Sequence, residues 1–263
     1  MLEIKEIINF LNIKYPLTNV EEWDNVGIQN NFTNVDKEID QLMICLDLTQ
    51  NVLKQAIQNK ISFIITHHPF IFEEDLEIEI KKNPHKKNML EEMKDNDICV
   101  YSTHTSFDMY KNGTAFQILE QLGIKKFQQL ENSDYGLFFE NELSVKKLCM
   151  QMKKKLKINN FLTNNILHKL DRPQRVGLLP GAGGSEIMIS KENNLDLVVT
   201  SDIKWSQWIL AKEQNIAIIQ VPHFIEKWHA NGIKKDLKEQ FPKINIFIAE
   251  EKDIIHRLEI DND

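Results

Sequence analysis

Short apolar runs bounded by turn residues alternate along this chain with stretches whose apolar positions recur every three or four residues. The first pattern predicts buried strands and the second amphipathic helices. Residues 4–11 read as an opening helix, 41–49 as a strand, 51–59 as a helix and 61–70, ISFIITHHPF, as a second strand. That order is a βαβ unit, which implies a parallel pair. The charged stretch 73–94 contains Pro84 and predicts a loop leading into a helix over 87–94. Residues 97–109 predict a third strand running into a polar turn, and 113–122 a helix closed by Gly123.

A second series starts near Lys126. Strands are expected over 135–140, 175–179, 195–200, 216–221 and 244–249. Helices are expected over 144–156, with Ser144 as cap, over 205–214, and from just past His223 to about 240. Strand and helix alternate in both halves without a low-complexity linker. Two α/β lobes, 1–125 and 126–263, are the expected organisation.

Composition narrows the classes. With 42% hydrophobic and 27% charged residues in 263, the chain has the make-up of a soluble globular protein. The formal net charge of -7 argues against nucleic-acid binding, which needs a basic surface, and Lys81-Lys82, Lys86-Lys87 and Lys153–Lys155 read as solvated faces. The start, MLEIKEIINFL, lacks the layout of a signal peptide, and no run is long enough to span a bilayer. Cys45, Cys99 and Cys149 have no paired spacing, so reduced thiols in a cytoplasmic protein are expected. Trp23 is expected in the core, and Asp24-Asn25 with Gly27 reads as turn chemistry.

Three groups carry candidate chemistry. The strand at 61–70 ends in Thr66-His67-His68-Pro69, where open α/β sheets bind ligands beyond the carboxyl ends of their strands. The third strand ends in Ser102-Thr103-His104-Thr105, with Asp108 four residues on. Imidazole and carboxylate together suit zinc, iron, nickel or manganese. Taken singly, each histidine also reads as an ordinary turn or half-buried residue. The third group is Pro222-His223-Phe224-Ile225-Glu226, with His229 beyond, although a glutamate in a first helical turn is favoured by the helix dipole alone. The glycine stretch Pro180–Ser185 offers backbone N–H groups to an anion, or is a plain tight turn.

Trp23-Asp24-Asn25-Val26-Gly27, Thr66-His67-His68-Pro69, Ser102-Thr103-His104-Thr105 with Asp108, the Gly-Gly-Ser turn, and a late histidine and glutamate occur in this order. That order resembles the NIF-three-like dinuclear-metal family, whose bacterial members are often called GTP cyclohydrolase 1 type 2 homologues. The resemblance covers essentially the whole chain. It implies two related α/β lobes facing each other across a metal-containing cleft, without the inserted middle domain of some members, and a homohexameric ring. It implies two divalent ions per subunit, held by His67, His68 and Asp108 from the first lobe and His223 and Glu226 from the second, with Asp108 bridging. His104 is then close to the metals, as a catalytic acid or base or to orient water. Gly183, Gly184 and Ser185 would hold a phosphate or carboxylate of the substrate.

Two departures stand out. The family's glycine before the late histidine is Pro222 here, and Glu226 follows His223 by three positions where four is usual, which brings His229 in as a substitute ligand. The family's Thr-Gly-Asp reads Thr200-Ser201-Asp202, with Trp205 and Ser206 where a histidine is common. The implied activity is metal-dependent hydrolysis, either opening of the guanine ring of GTP with release of formate or phosphoester cleavage. A non-catalytic, ring-forming metal-binding scaffold or regulatory interaction protein is the rival reading.

Overall fold

The computed structural model describes residues 1–30, 32 and 34–255. The chain runs β1 (Leu2–Glu3), α1 (Ile4–Lys14), β2 (Gly27–Ile28), β3 (Glu38–Ile39), β4 (Gln41–Cys45), α2 (Gln50–Gln58), β5 (Phe63–Thr66), α3 (Leu76–Lys82), α4 (His85–Asp95), β6 (Cys99–Ser102) and α5 (His104–Asp108) in a first compact unit. It then crosses into a second unit. There it forms α6 (Thr114–Leu122), β7 (Gln128–Gln129), β8 (Leu137–Glu140), α7 (Val145–Met152), β9 (Leu162–Thr163), β10 (Arg175–Leu179), α8 (Ile189–Glu192), β11 (Leu197–Thr200), α9 (Trp205–Glu213) and β12 (Ala217–Gln220). From His229 it returns to the first unit with α10 (His229–Gln240) and β13 (Asn245–Ile248). Among the described residues the units are therefore 1–111 with 229–251, and 112–228 with 252–255. This division differs from the expected 1–125 and 126–263, because β13 pairs in parallel with β4 at the edge of the first sheet.

The first unit's five-stranded sheet has the order β13-β4-β5-β6-β2, parallel except for β2. Alternate residues of its strands face opposite ways, and both faces are covered. Leu42, Ile44, Phe63, Ile65 and Tyr101 pack under α1 and α10, while Met43, Cys45, Ile64 and Val100 pack under α2 and α4. Continuous apolar runs, rather than alternation, are what a doubly covered sheet requires. The second unit repeats the plan in the six-stranded order β7-β8-β10-β11-β12-β9, with a parallel centre at β10-β11-β12. One face of that sheet buries Val176, Leu197 and Ile219 under α6 and α7, and the other buries Val198 and Ile218 against Ala211 of α9. Ser144 caps α7 by accepting from the Lys147 amide, and Gly123 closes α6 at φ 79°.

Three local expectations change. The charged stretch 73–94 holds two helices, because Asp75 caps α3 and its buried Glu79 gathers the following turns. The polar turn after β6 is the short helix α5. Trp23 is 62% exposed, so it is not a core residue. Cys45 on β4 and Cys99 on β6 are buried in the first sheet, and no helix among the described residues is long and apolar enough to cross a membrane.

Candidate metal centre

The carboxyl ends of β4, β5 and β6 carry the chemistry of the first unit. His67 and His68 follow β5, and their amides bond to the Cys45 and Leu46 carbonyls at 3.0 and 3.1 Å, extending the parallel ladder past its last regular pair. His104 opens α5 after β6 and donates its own amide to the His67 carbonyl at 2.9 Å. Backbone pairing thus brings three imidazoles to one edge. One nitrogen from each of His67, His68 and His104 falls within 4.8 Å of the others. Asp108, at the far end of α5, sets a carboxylate oxygen 3.5 Å from His67 Nε2.

His229 also belongs here. It is fully buried, and its ring lies 4.7 Å from that of His67, centroid to centroid. The helix expected from just past His223 would hold both Glu226 and His229. A 3₁₀ turn over His223–Trp228 precedes α10, so Glu226 stays with the second unit while His229 opens a helix of the first.

In the second unit His223 follows β12 and stands between two carboxylates. Asp202 lies 2.7 Å from Nδ1 and the buried Glu226 2.6 Å from Nε2. Burial alone would lower the imidazole pKa, but the two carboxylates carry it up to about 11. The hydrogen bond to His223 holds the Asp202 carboxyl below the usual carboxylate range. A proton at Nε2 thus stands where a cation would, between the same imidazole and carboxylate. A cavity of about 310 Å³ adjoins this pair, lined by Phe161, Leu162, Asp202, Gln220, Pro222 and His223.

The glycine turn has a different explanation from anion binding. A Cβ on Gly183 would come within 2.8 Å of Thr200 Oγ1, and one on Gly184 within 2.2 Å of Gln207 Oε1. Packing therefore accounts for both glycines, while Ser185 is exposed. Gly181 is the glycine that bears on the candidate ligands. It adopts φ +69°, and a Cβ there would sit 2.7 Å from Glu226 Oε1.

Sequence reasoning missed the carboxylates behind the histidines. Asp47 lies 2.8 Å from His68 Nδ1, Asp24 lies 2.8 Å from His104 Nδ1, and Asp202 holds His223 in the same way. A carboxylate that accepts from Nδ1 fixes ring orientation and, in a neutral ring, leaves the Nε2 lone pair as the ligand or base. The partly buried Glu251 accepts from the amides of Leu46 and Asp47 at 2.8 and 3.1 Å and so fixes the loop that carries Asp47. Its burial pushes that carboxyl up to about 7. Histidines backed by carboxylates, with Asp108 in the first unit and Glu226 in the second, are donors of the kind that fits a divalent ion of the zinc, iron, nickel or manganese type.

Residues 2–254 match the model of the Duf34/NIF3 family, described as NGG1p interacting factor 3. The chain belongs to the Duf34/NIF3 family. Relatives named GTP cyclohydrolase 1 type 2 homolog include one from Mycoplasmopsis pulmonis, 30% identical over 94% of this chain and 98% of its own length. Another, from Campylobacter jejuni, is 32% identical over 90% of this chain and 92% of its own. The fold matches Staphylococcus aureus protein SA1388 with TM-score 0.87 at 20% identity, over 98% of this chain and 99% of that one. Reduced HcgD from Methanocaldococcus jannaschii aligns with TM-score 0.76 at 27% identity, over 94% of this chain and 97% of that one. This Duf34/NIF3 chain is thus a mixed α/β protein with several sheets, like its structural neighbours, and carries histidine and glutamate groups able to hold a metal ion.

Proposed function

We propose that this chain is a metal-dependent hydrolase that uses two divalent ions. The observation that carries the reading is the convergence of His67, His68 and His104 at one sheet edge, with ligand atoms within 4.8 Å of one another. His67, His68 and Asp108 in the first unit, and His223 and Glu226 in the second, serve as the protein ligands. Ions held by such ligands supply Lewis acidity and lower the pKa of water, making a nucleophile available at neutral pH. His104 accepts the proton of the attacking water at Nε2 and returns it to the leaving group. The acidic residues behind His68 and His223 keep those rings in one orientation, so the ligand atoms need little reorganisation on binding. The names of the relatives favour a nucleotide as substrate, attacked at its ring or at a phosphoester.

Elemental analysis of the purified protein tests this, with wild type beside His68→Ala, Asp108→Ala and His104→Ala. About two ions per chain are expected, falling in the first two variants and retained in the third. The His104 variant should also lose formate release from GTP or cleavage of a phosphoester. A wild type that takes up no metal after incubation with zinc, iron, nickel or manganese would overturn the reading. Full metal with no turnover in the wild type would leave a metal-binding scaffold, and full metal with unchanged turnover in the His104 variant would remove His104 from the proton transfer.

A further inference from the structure

We infer that Asp24 is the positioning residue of His104: it holds the imidazole in the Nδ1–H tautomer and directs the Nε2 lone pair outward as the proton-accepting atom. The role in proton transfer rests on the reading above, but the tautomer does not. The Asp24 side chain is fully buried, unlike the roughly half-exposed carboxylates of Asp47 and Asp202. Its Oδ1 faces His104 Nδ1 at 2.8 Å. Its Oδ2 accepts from Thr105, from the amide at 3.1 Å and the hydroxyl at 2.5 Å. Burial would raise the Asp24 carboxyl, but the bonds from His104 and Thr105 bring it below the usual range, so it is a carboxylate at neutral pH. A carboxylate only accepts, so the nitrogen facing it must carry the hydrogen.

The surroundings hold this pair in place. Trp23, next to Asp24, sets its ring edge-on to His104 at 5.7 Å, and Phe72 does so from another side at 6.1 Å. Asn25 donates to the Ile71 carbonyl at 2.8 Å, tying the loop of Asp24 to the loop that follows His68. After His104 takes a proton at Nε2, the same carboxylate faces an imidazolium and stabilises it. A buried negative partner is therefore useful at both stages of proton transfer.

A simpler role exists for Asp24, as an anchor for the start of α5 through Thr105. The two are separable because the two oxygens have different partners. In Asp24→Asn the oxygen of the new amide takes the Thr105 donors and its NH₂ faces Nδ1, which forces the ring into the Nε2–H tautomer. Thr105→Val removes the hydroxyl bond and leaves Oδ1 on His104.

The experiment is ¹⁵N–¹H correlation NMR of the histidine rings in chelator-treated protein at alkaline pH, with His104 assigned by its absence in His104→Gln. Wild type and Thr105→Val should show Nδ1–H in excess over Nε2–H by about tenfold or more, as expected when one form bonds to a charge. Asp24→Asn should reverse the ratio. An Nε2–H ring in wild type, or an equal shift in Thr105→Val, would overturn the assignment. If Asp24→Asn fails to fold, the wild-type tautomer decides alone. Metal content and turnover play no part in the result, so a failed metallohydrolase reading leaves it standing and a wrong tautomer sinks it alone.

Discussion

Glu79 gives the sharpest test of how the loop after His67-His68 is held. It lies on α3, its side chain is 1% exposed, and it accepts four hydrogen bonds. The amides of Phe72 and Glu73 bond to Oε2 at 2.8 and 3.0 Å, and Asn83 Nδ2 and Lys86 Nζ bond to Oε1 at 2.8 and 2.6 Å. Lys86 also donates to the Phe70 carbonyl at 2.6 Å, so one carboxylate and one ammonium clamp the chain just past the histidines. Burial would raise the Glu79 pKa, but these donors bring it down to about 2. Relative to an ordinary 4.5, that depression corresponds to roughly 3 kcal/mol at about 1.4 kcal/mol per pH unit. Breaking one side of a buried ion pair independently suggests ~3–5 kcal/mol. Glu79→Gln keeps the shape and removes the charge, so a loss of about 3 kcal/mol at pH 7 is expected. A depressed carboxylate stabilises above its unfolded pKa and loses that contribution as pH falls. The difference between variant and wild type should therefore shrink between about pH 5 and pH 2. Urea denaturation followed by circular dichroism measures it, and hydrogen exchange at the Phe72 and Glu73 amides should quicken in the variant. A difference below about 0.5 kcal/mol at pH 7, or one that stays constant down to about pH 2.5, refutes the argument.

Three further outcomes follow from single contacts. Tyr15, fully buried, donates its hydroxyl to Asp236 at 2.8 Å, and Tyr15→Phe should lower stability by about 1–2 kcal/mol in a thermal melt. Gly181→Ala should cost about 1 kcal/mol for its left-handed backbone and also reduce metal content, since the new Cβ would meet Glu226; Gly123→Ala, with φ +79° and no atom within 4 Å, should cost about as much and leave metal content unchanged. His223 in the metal-free protein is protonated at neutral pH, with a pKa near 11, so its ion-pair contribution to stability is present below about pH 6.5 and lost as pH rises through about 11. Zinc added at pH 7 should then release a proton from this ring, seen with an indicator dye in dilute buffer and absent in His223→Ala.

Much of the fold is legible because both sheets are covered on both faces. Double burial leaves unbroken apolar runs, and β4, β5, β6, β10, β11 and β12 all lie within the runs that periodicity identifies. The allegiance of the last segment is not legible. Residues 229–251 continue the strand-and-helix rhythm of the second half, yet they pair with β4 and cover α1 across more than two hundred positions. Nothing local distinguishes a strand that closes its own sheet from one that returns to an earlier sheet. Trp23 defeats the usual burial preference for a comparable reason: its neighbour Asp24 is the buried member, drawn inward by His104 and Thr105.

The histidines were visible because they end strands, and their carboxylates were not because each lies on a different strand end. Yet two of the pairs share one construction. Asp47 stands two residues after β4 and partners His68 beyond β5, which is 21 positions away. Asp202 stands two residues after β11 and partners His223 beyond β12, also 21 positions away. In both cases a single helix joins the two strands, and parallel register delivers the acid and the imidazole to the same edge. A strand–helix–strand unit of this length makes such a spacing a geometric consequence: an aspartate just past one strand meets a histidine just past the next. The signal was therefore in the sequence as a repeated interval inside a βαβ pattern, one the short-range motifs do not display. Asp24–His104 has no such rule behind it. Its partners are 80 positions apart and meet because the antiparallel strand β2, which starts three residues after Asp24, pairs with β6, which ends two residues before His104.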